Sequence, residues 1–166
     1  MARALQDARV MREPKILVEG LSPVFVLVDD DREASQRIAL VLPSDWFFVP
    51  VVNPGFAVRY AKRFQPTAVL LAEPVAYPRG GAARLLQDLL DDAGRPVIIL
   101  SEDANPEAVE RWRRMGASDC IPHPTRSFRR MNVLRRALQD SIARSEPHGI
   151  LATMARLNEA PLREKA

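Results

Sequence analysis

Four places in this chain carry residue types suited to chemistry at the carboxyl end of a sheet. Asp29-Asp30-Asp31 follows the apolar run 24–28, and Ser101 follows the run 96–100. Ala72-Glu73 closes the run 68–71, and His123-Pro124 closes the short segment 119–122. Paired carboxylates suit a hard divalent cation, and with a hydroxyl and a positive group they are the parts of a phosphoryl-transfer site. Such a site also needs a nucleophile in line with phosphorus. The run 68–71 delivers Ala72, and a methyl group cannot attack. The set reads as half of a phosphorylation site without its reactive carboxylate, which points to a fold kept for binding.

The elements that must position these residues alternate along the chain. Strands are predicted near 24–28, 47–52, 68–72, 96–101 and 119–122, and helices near 32–42, 55–64, 80–91, 105–115 and 126–144. The first, third and fourth strands are nearly continuous apolar runs, as expected of strands covered by helices on both faces. Asp30 with Glu33 resembles a capping box ahead of the first helix. Asn53-Pro54 and Asn105-Pro106 place a cap before a proline that can open a helix. Gly94 and Gly116 stop the third and fourth helices. The pattern predicts an α/β fold with a doubly wound, five-stranded parallel sheet. Right-handed crossovers then gather the loops that follow the strands into one crevice.

The segment from Val24 to Arg144 resembles the receiver domain of bacterial response regulators. The apolar strand with its acidic pair, Val26-Leu27-Val28-Asp29-Asp30, matches the opening motif. Pro66-Thr67-Ala68-Val69-Leu70-Leu71-Ala72 matches the segment that leads to the phosphoacceptor, and Gly80 stands eight residues on. Ser101 matches the hydroxyl that ends the fourth strand. Gly116-Ala117 matches the pair before the fifth strand, and 118–124 aligns with the segment ending in Lys-Pro. The resemblance implies a flavodoxin-like (βα)5 receiver, with an extension at 1–22, the domain at 23–145 and a tail helix at 146–166.

Departures from the motif are ordered. Ala72 stands at the phosphoacceptor, His123 at the phosphoryl-pairing lysine and Cys120 at the switch aromatic. Asp29, Asp30 and Ser101 keep their expected types. Losing Ala72's carboxylate leaves at most weak Mg²⁺ binding at Asp29 and Asp30, and no other cofactor or metal is implied. Glu73 could supply a fixed negative charge only if the strand slipped or bulged by one residue. Read alone, the aspartates are helix caps, Ser101 a strand-end hydroxyl, His123 a packed loop residue, Cys120 a small core residue and Trp112 a partly buried one.

Composition fits one soluble domain: 166 residues, 47% apolar and 27% charged, with net charge +3. No basic-then-apolar signal segment and no run near the ~18 apolar residues of a bilayer span is present, so a cytoplasmic location and no membrane partner are expected. A single cysteine excludes an internal disulfide. Arginines concentrate between Arg111 and Arg144, where the only acids are Asp119 and Asp140. In the resembled family the fourth helix, fifth strand and fifth helix form the output surface. Arg111, Arg113, Arg114, Arg126, Arg129 and Arg130 are accordingly the candidate partner-binding face.

The expected function is a phosphorylation-independent receiver that serves as a protein-interaction or dimerisation module in bacterial signalling, not an enzyme. Homodimerisation would use the tail helix or the output surface. The alternative is a nucleic-acid-associated transcriptional or RNA regulator using the arginine face at 111–144, where aromatic interleaving is limited to Trp112 and Phe128. An enzymatic reading lacks a Gly-rich phosphate loop or nucleophile elbow, and Gly80-Gly81 has no third glycine.

Overall fold

The computed structural model describes residues 22–124 and 127–145. The extension at 1–21, Arg126 and the tail at 146–166 lie outside them. The order is β1 (Val24–Val28), α1 (Arg32–Val41), β2 (Phe47–Val51), a 3-10 turn (Pro54–Phe56), α2 (Ala57–Phe64), β3 (Ala68–Glu73), α3 (Gly81–Ala93), β4 (Val97–Ser101), α4 (Pro106–Arg114), β5 (Asp119–Pro122) and α5 (Phe128–Ser145). All strand pairs are parallel, in the order β2-β1-β3-β4-β5. This is the five-stranded doubly wound sheet that the alternation of elements predicts.

Strand alternation divides the core in two. Phe25 and Leu27 of β1, Ala68 and Leu70 of β3, and Ile98 and Leu100 of β4 face α1 and α5, where Ile38, Leu134 and Leu138 meet them. Val26, Val28, Val69, Leu71, Val97 and Ile99 face α2, α3 and α4. Both faces are therefore apolar, and β1 and β4 are buried at every position. Full burial of such side chains contributes roughly 1.5–3 kcal/mol each.

Helix ends follow local chemistry, with two differences from expectation. The first helix is capped by Asp31, not Asp30: its carboxylate accepts the amides of Glu33 and Ala34 at 2.9 and 3.1 Å. Asp30 is drawn elsewhere by a tertiary bond, and Glu33 pairs with Arg37 instead of closing a box. The second helix does not start at 55. Asn53 accepts the Gly55 amide at 3.0 Å and opens the 3-10 turn, which leads into α2. Asn105 caps α4 as expected, accepting from Ala108 at 2.8 Å. Gly94 ends α3 at φ 59°, a left-handed position that glycine adopts without steric cost.

The edge strand β2 contains Pro50. Phe47 donates to Pro23 and Val51 accepts from Asp29, so the odd-numbered residues of β2 bond inward to β1. Pro50 therefore turns its missing N–H to the outer edge, where proline is tolerated.

Candidate functional site

The carboxyl ends of β1 and β5 are joined by one buried contact. Asp29 extends the β1 ladder by donating to the Val51 carbonyl at 3.2 Å, and His123 extends β5 by donating to Ser101 at 2.8 Å. Both residues then continue the faces of Leu27 and Ile121. Their side chains meet, His123 Nε2 lying 3.0 Å from Asp29 Oδ2, and both are buried. The other Asp29 oxygen accepts the Asp31 amide at 2.9 Å. In the sheet order, β3 and β4 lie between these two ends, so the contact crosses above them.

Ala72 sits on the same side. The register pairs it with Leu100 and runs unbroken from Val69 to Glu73, so β3 neither slips nor bulges. Ala72 is 2% exposed. It shares the side of the sheet that Asp29 and His123 take, on a strand that lies between theirs. Glu73 points to the opposite side, where its Oε2 accepts from Trp112 Nε1 at 3.1 Å and Oε1 lies 3.9 Å from Arg111. Glu73 thus ties β3 to α4 and is not a stand-in for the missing carboxylate. Trp112 is buried, consistent with its helical spacing.

The other retained residues serve their own loops. Asp30 is exposed and accepts the Ala76 amide at 3.1 Å, fastening the segment after β3. Ser101 is buried and its hydroxyl accepts the Asp103 amide at 3.3 Å. It borders an open hollow of about 450 Å³ shared with Glu73, Glu102, Asp103, Glu107 and Arg111.

The receiver fold implies Mg²⁺, which keeps several waters and is held by one or two carboxylates. Here Asp29 bonds through both oxygens, Asp30 is bonded to an amide, and Ala72 offers none. Of the three positions, only Asp30 keeps a carboxylate oxygen without a bond among the described residues, so one strand-end carboxylate is left to hold the cation beside its waters. Among the described residues no group of three His, Cys, Asp or Glu side chains is placed to hold a metal.

Cys120 is buried against α4 and has no disulfide partner. Burial, reinforced by the nearby Glu73 and Asp119 carboxylates, pushes its thiol from 9.0 up to about 11. Alkylation by iodoacetamide at pH 8 is expected to be slow in the folded protein and rapid in denaturant, because the thiolate is the nucleophile. Equal rates would show that the thiol is accessible. The raised value also means that its share of stability is complete below pH 9 and is lost as pH rises through about 11.

The arginine face carries less unmatched charge than a count along the sequence suggests. Arg113 pairs with Asp119 at 3.0 Å, Arg114 with Glu110 at 3.6 Å and Arg130 with Glu102 at 3.4 Å, while Arg111 reaches Glu73. Arg129 is exposed, and Arg126 lies outside the described residues. Counting acids only between 111 and 144 misses Glu73, Glu102 and Glu110, which folding or helical spacing brings alongside. The Asp29–His123 contact was also not anticipated. The alignment that puts a histidine opposite an acidic pair was the signal that could have revealed it.

No family model and no curated protein matches the chain. Solved structures do. The receiver domain of the Francisella response regulator 1452 superposes with TM-score 0.64 at 18% identity, covering 75% of this chain and all of that one. The BeF3-activated N-terminal receiver domain of Klebsiella pneumoniae RstA gives 0.60 at 27% identity over 72% of this chain and 97% of its own. The response regulator domain of Thermotoga maritima CheB gives 0.59 at 18% identity, over 75% and 96%. The chain has the receiver fold. No described helix is long and apolar enough to cross a membrane.

Proposed function

We propose that this receiver fold acts as a phosphorylation-independent, non-enzymatic binding module in bacterial signal transduction. The observation that carries the reading is the buried Asp29–His123 contact above Ala72. In the resembled family that space receives the phosphoryl group, its cation and its lysine. Here position 72 is a buried methyl group, and Asp29 and His123 bond to each other at the same strand ends. A carboxylate nucleophile is absent, and the imidazole is already engaged by Asp29. The Glu73–Trp112 bond supports the same reading, because it fixes α4 to β3 without any ligand. Regulation then rests on partner binding. A protein partner is favoured over nucleic acid, since Arg111, Arg113, Arg114 and Arg130 are matched by carboxylates.

The test is to incubate the full chain with Mg²⁺ and acetyl phosphate, and separately with beryllofluoride. Intact mass and ¹H–¹⁵N spectra are expected to stay unchanged. A mass gain of one phosphate, or Mg²⁺-dependent shifts at Asp29 and Ala72, would overturn the reading.

A further inference from the structure

A positive surface without ion pairs lies on the 3-10 turn and α2, apart from the arginine-rich last third of the sequence. No Asp or Glu occurs between Asp45 and Glu73, and that stretch carries Arg59, Lys62 and Arg63. Ala57 and Ala61 bury one side of α2 against the sheet. The three cations are exposed on the rest of the helix, and none makes an ion pair among the described residues. Two of them rest on aromatic rings: Arg59 lies 4.8 Å from the Phe56 centroid and Arg63 5.7 Å from that of Phe64. Such contacts hold a guanidinium in place without neutralising it.

Between these cations is an open hollow of about 620 Å³, with Gly55 and Val58 beside Arg59, Lys62 and Arg63. Phe56 and Val52 are exposed in the connection that leads into it. The surface combines an apolar floor with a cationic rim. A bare anion would use the rim alone. Stacked bases would need free ring faces, but Arg59 lies over one face of Phe56, and Tyr60 and Phe64 stack on each other at 5.7 Å. An acidic protein segment that presents an apolar side chain among its carboxylates complements both parts.

We propose that the α2 face is the docking surface for such an acidic, amphipathic protein segment. The proposal rests on the binding-module reading and names its partner class, but it does not depend on the closed cleft. The probe is a fluorescein-labelled amphipathic helical peptide with Glu on one face and Leu on the other. Its controls are the same peptide with Gln for Glu and a random single-stranded DNA. Binding to the full chain is expected, with ¹H–¹⁵N shifts centred on residues 52–64. Affinity should fall at least about tenfold for the Gln peptide and for the variant R59E/K62E/R63E, and it should weaken steeply with salt. Because these side chains are exposed, the variant should stay folded, its melting temperature lowered only by the charge reversal in the last turn of α2, and R32E on α1 should bind as wild type does.

Absent binding, shifts centred elsewhere, or an unaffected triple variant would overturn the proposal. Tighter binding of the DNA, lost in the triple variant, would also overturn it and assign the surface to nucleic acid. None of these outcomes bears on phosphate uptake, so the two readings fail separately.

Discussion

Replacing Asp29 with alanine is expected to destabilise the protein by about 1–3 kcal/mol, the cost of leaving a buried polar group without its partner. His123 Nε2 would lose the carboxylate 3.0 Å away, and the Asp31 amide would lose its acceptor. Since the contact joins β1 to β5 across the ends of β3 and β4, its loss should not stay local. Urea unfolding of Asp29→Ala, His123→Ala and the double variant measures the effect as a cycle. The double variant should be less destabilised than the sum of the singles, because each single leaves a buried polar group without its mate. Strict additivity, or singles within experimental error of wild type, would show that the contact does not hold the strand ends together.

The variant Ala72→Asp restores the residue that the family motif expects, and it is expected to be harmful. A carboxylate would enter a site 2% exposed, on the side of β3 that Asp29 and His123 span. Two carboxylates would then compete for one imidazole, and the loser is a buried charge without a partner. The expected loss is about 2–4 kcal/mol, read from the same denaturant titrations. Acetyl phosphate with Mg²⁺ should still leave the mass unchanged. A variant as stable as wild type that takes up phosphate would mean that only the nucleophile had been missing and that the cleft is open.

Much of this was legible in the sequence because the signals were local or periodic. The short apolar runs of β1 and β4 fit strands with helices on both faces, and Asn105-Pro106 marked its helix start unaided. The side of the sheet that position 72 takes was readable for a related reason: strand alternation sets it from the register alone. What stayed hidden were bonds between residues far apart in the chain. Asp29 and His123 are 94 positions apart, and Glu73 and Trp112 are 39 apart. Their partnership depends on which strands lie side by side and which face each residue takes. The basic surface of α2 was overlooked because three cations in a mid-chain window are unremarkable by count. Only the absence of carboxylates around them in the fold makes them stand out.

Pro50 limits how this molecule can join another. Within β2 the outward-facing positions are Phe48 and Pro50, so the free side of the sheet offers a single backbone donor there. At the far side β5 has four residues, and its Cys120 amide is already taken by the Asp119 carboxylate. A partner therefore finds no continuous row of amides along which to lay a new strand. Among the described residues, recognition is thereby left to contacts between side chains on the helical layers.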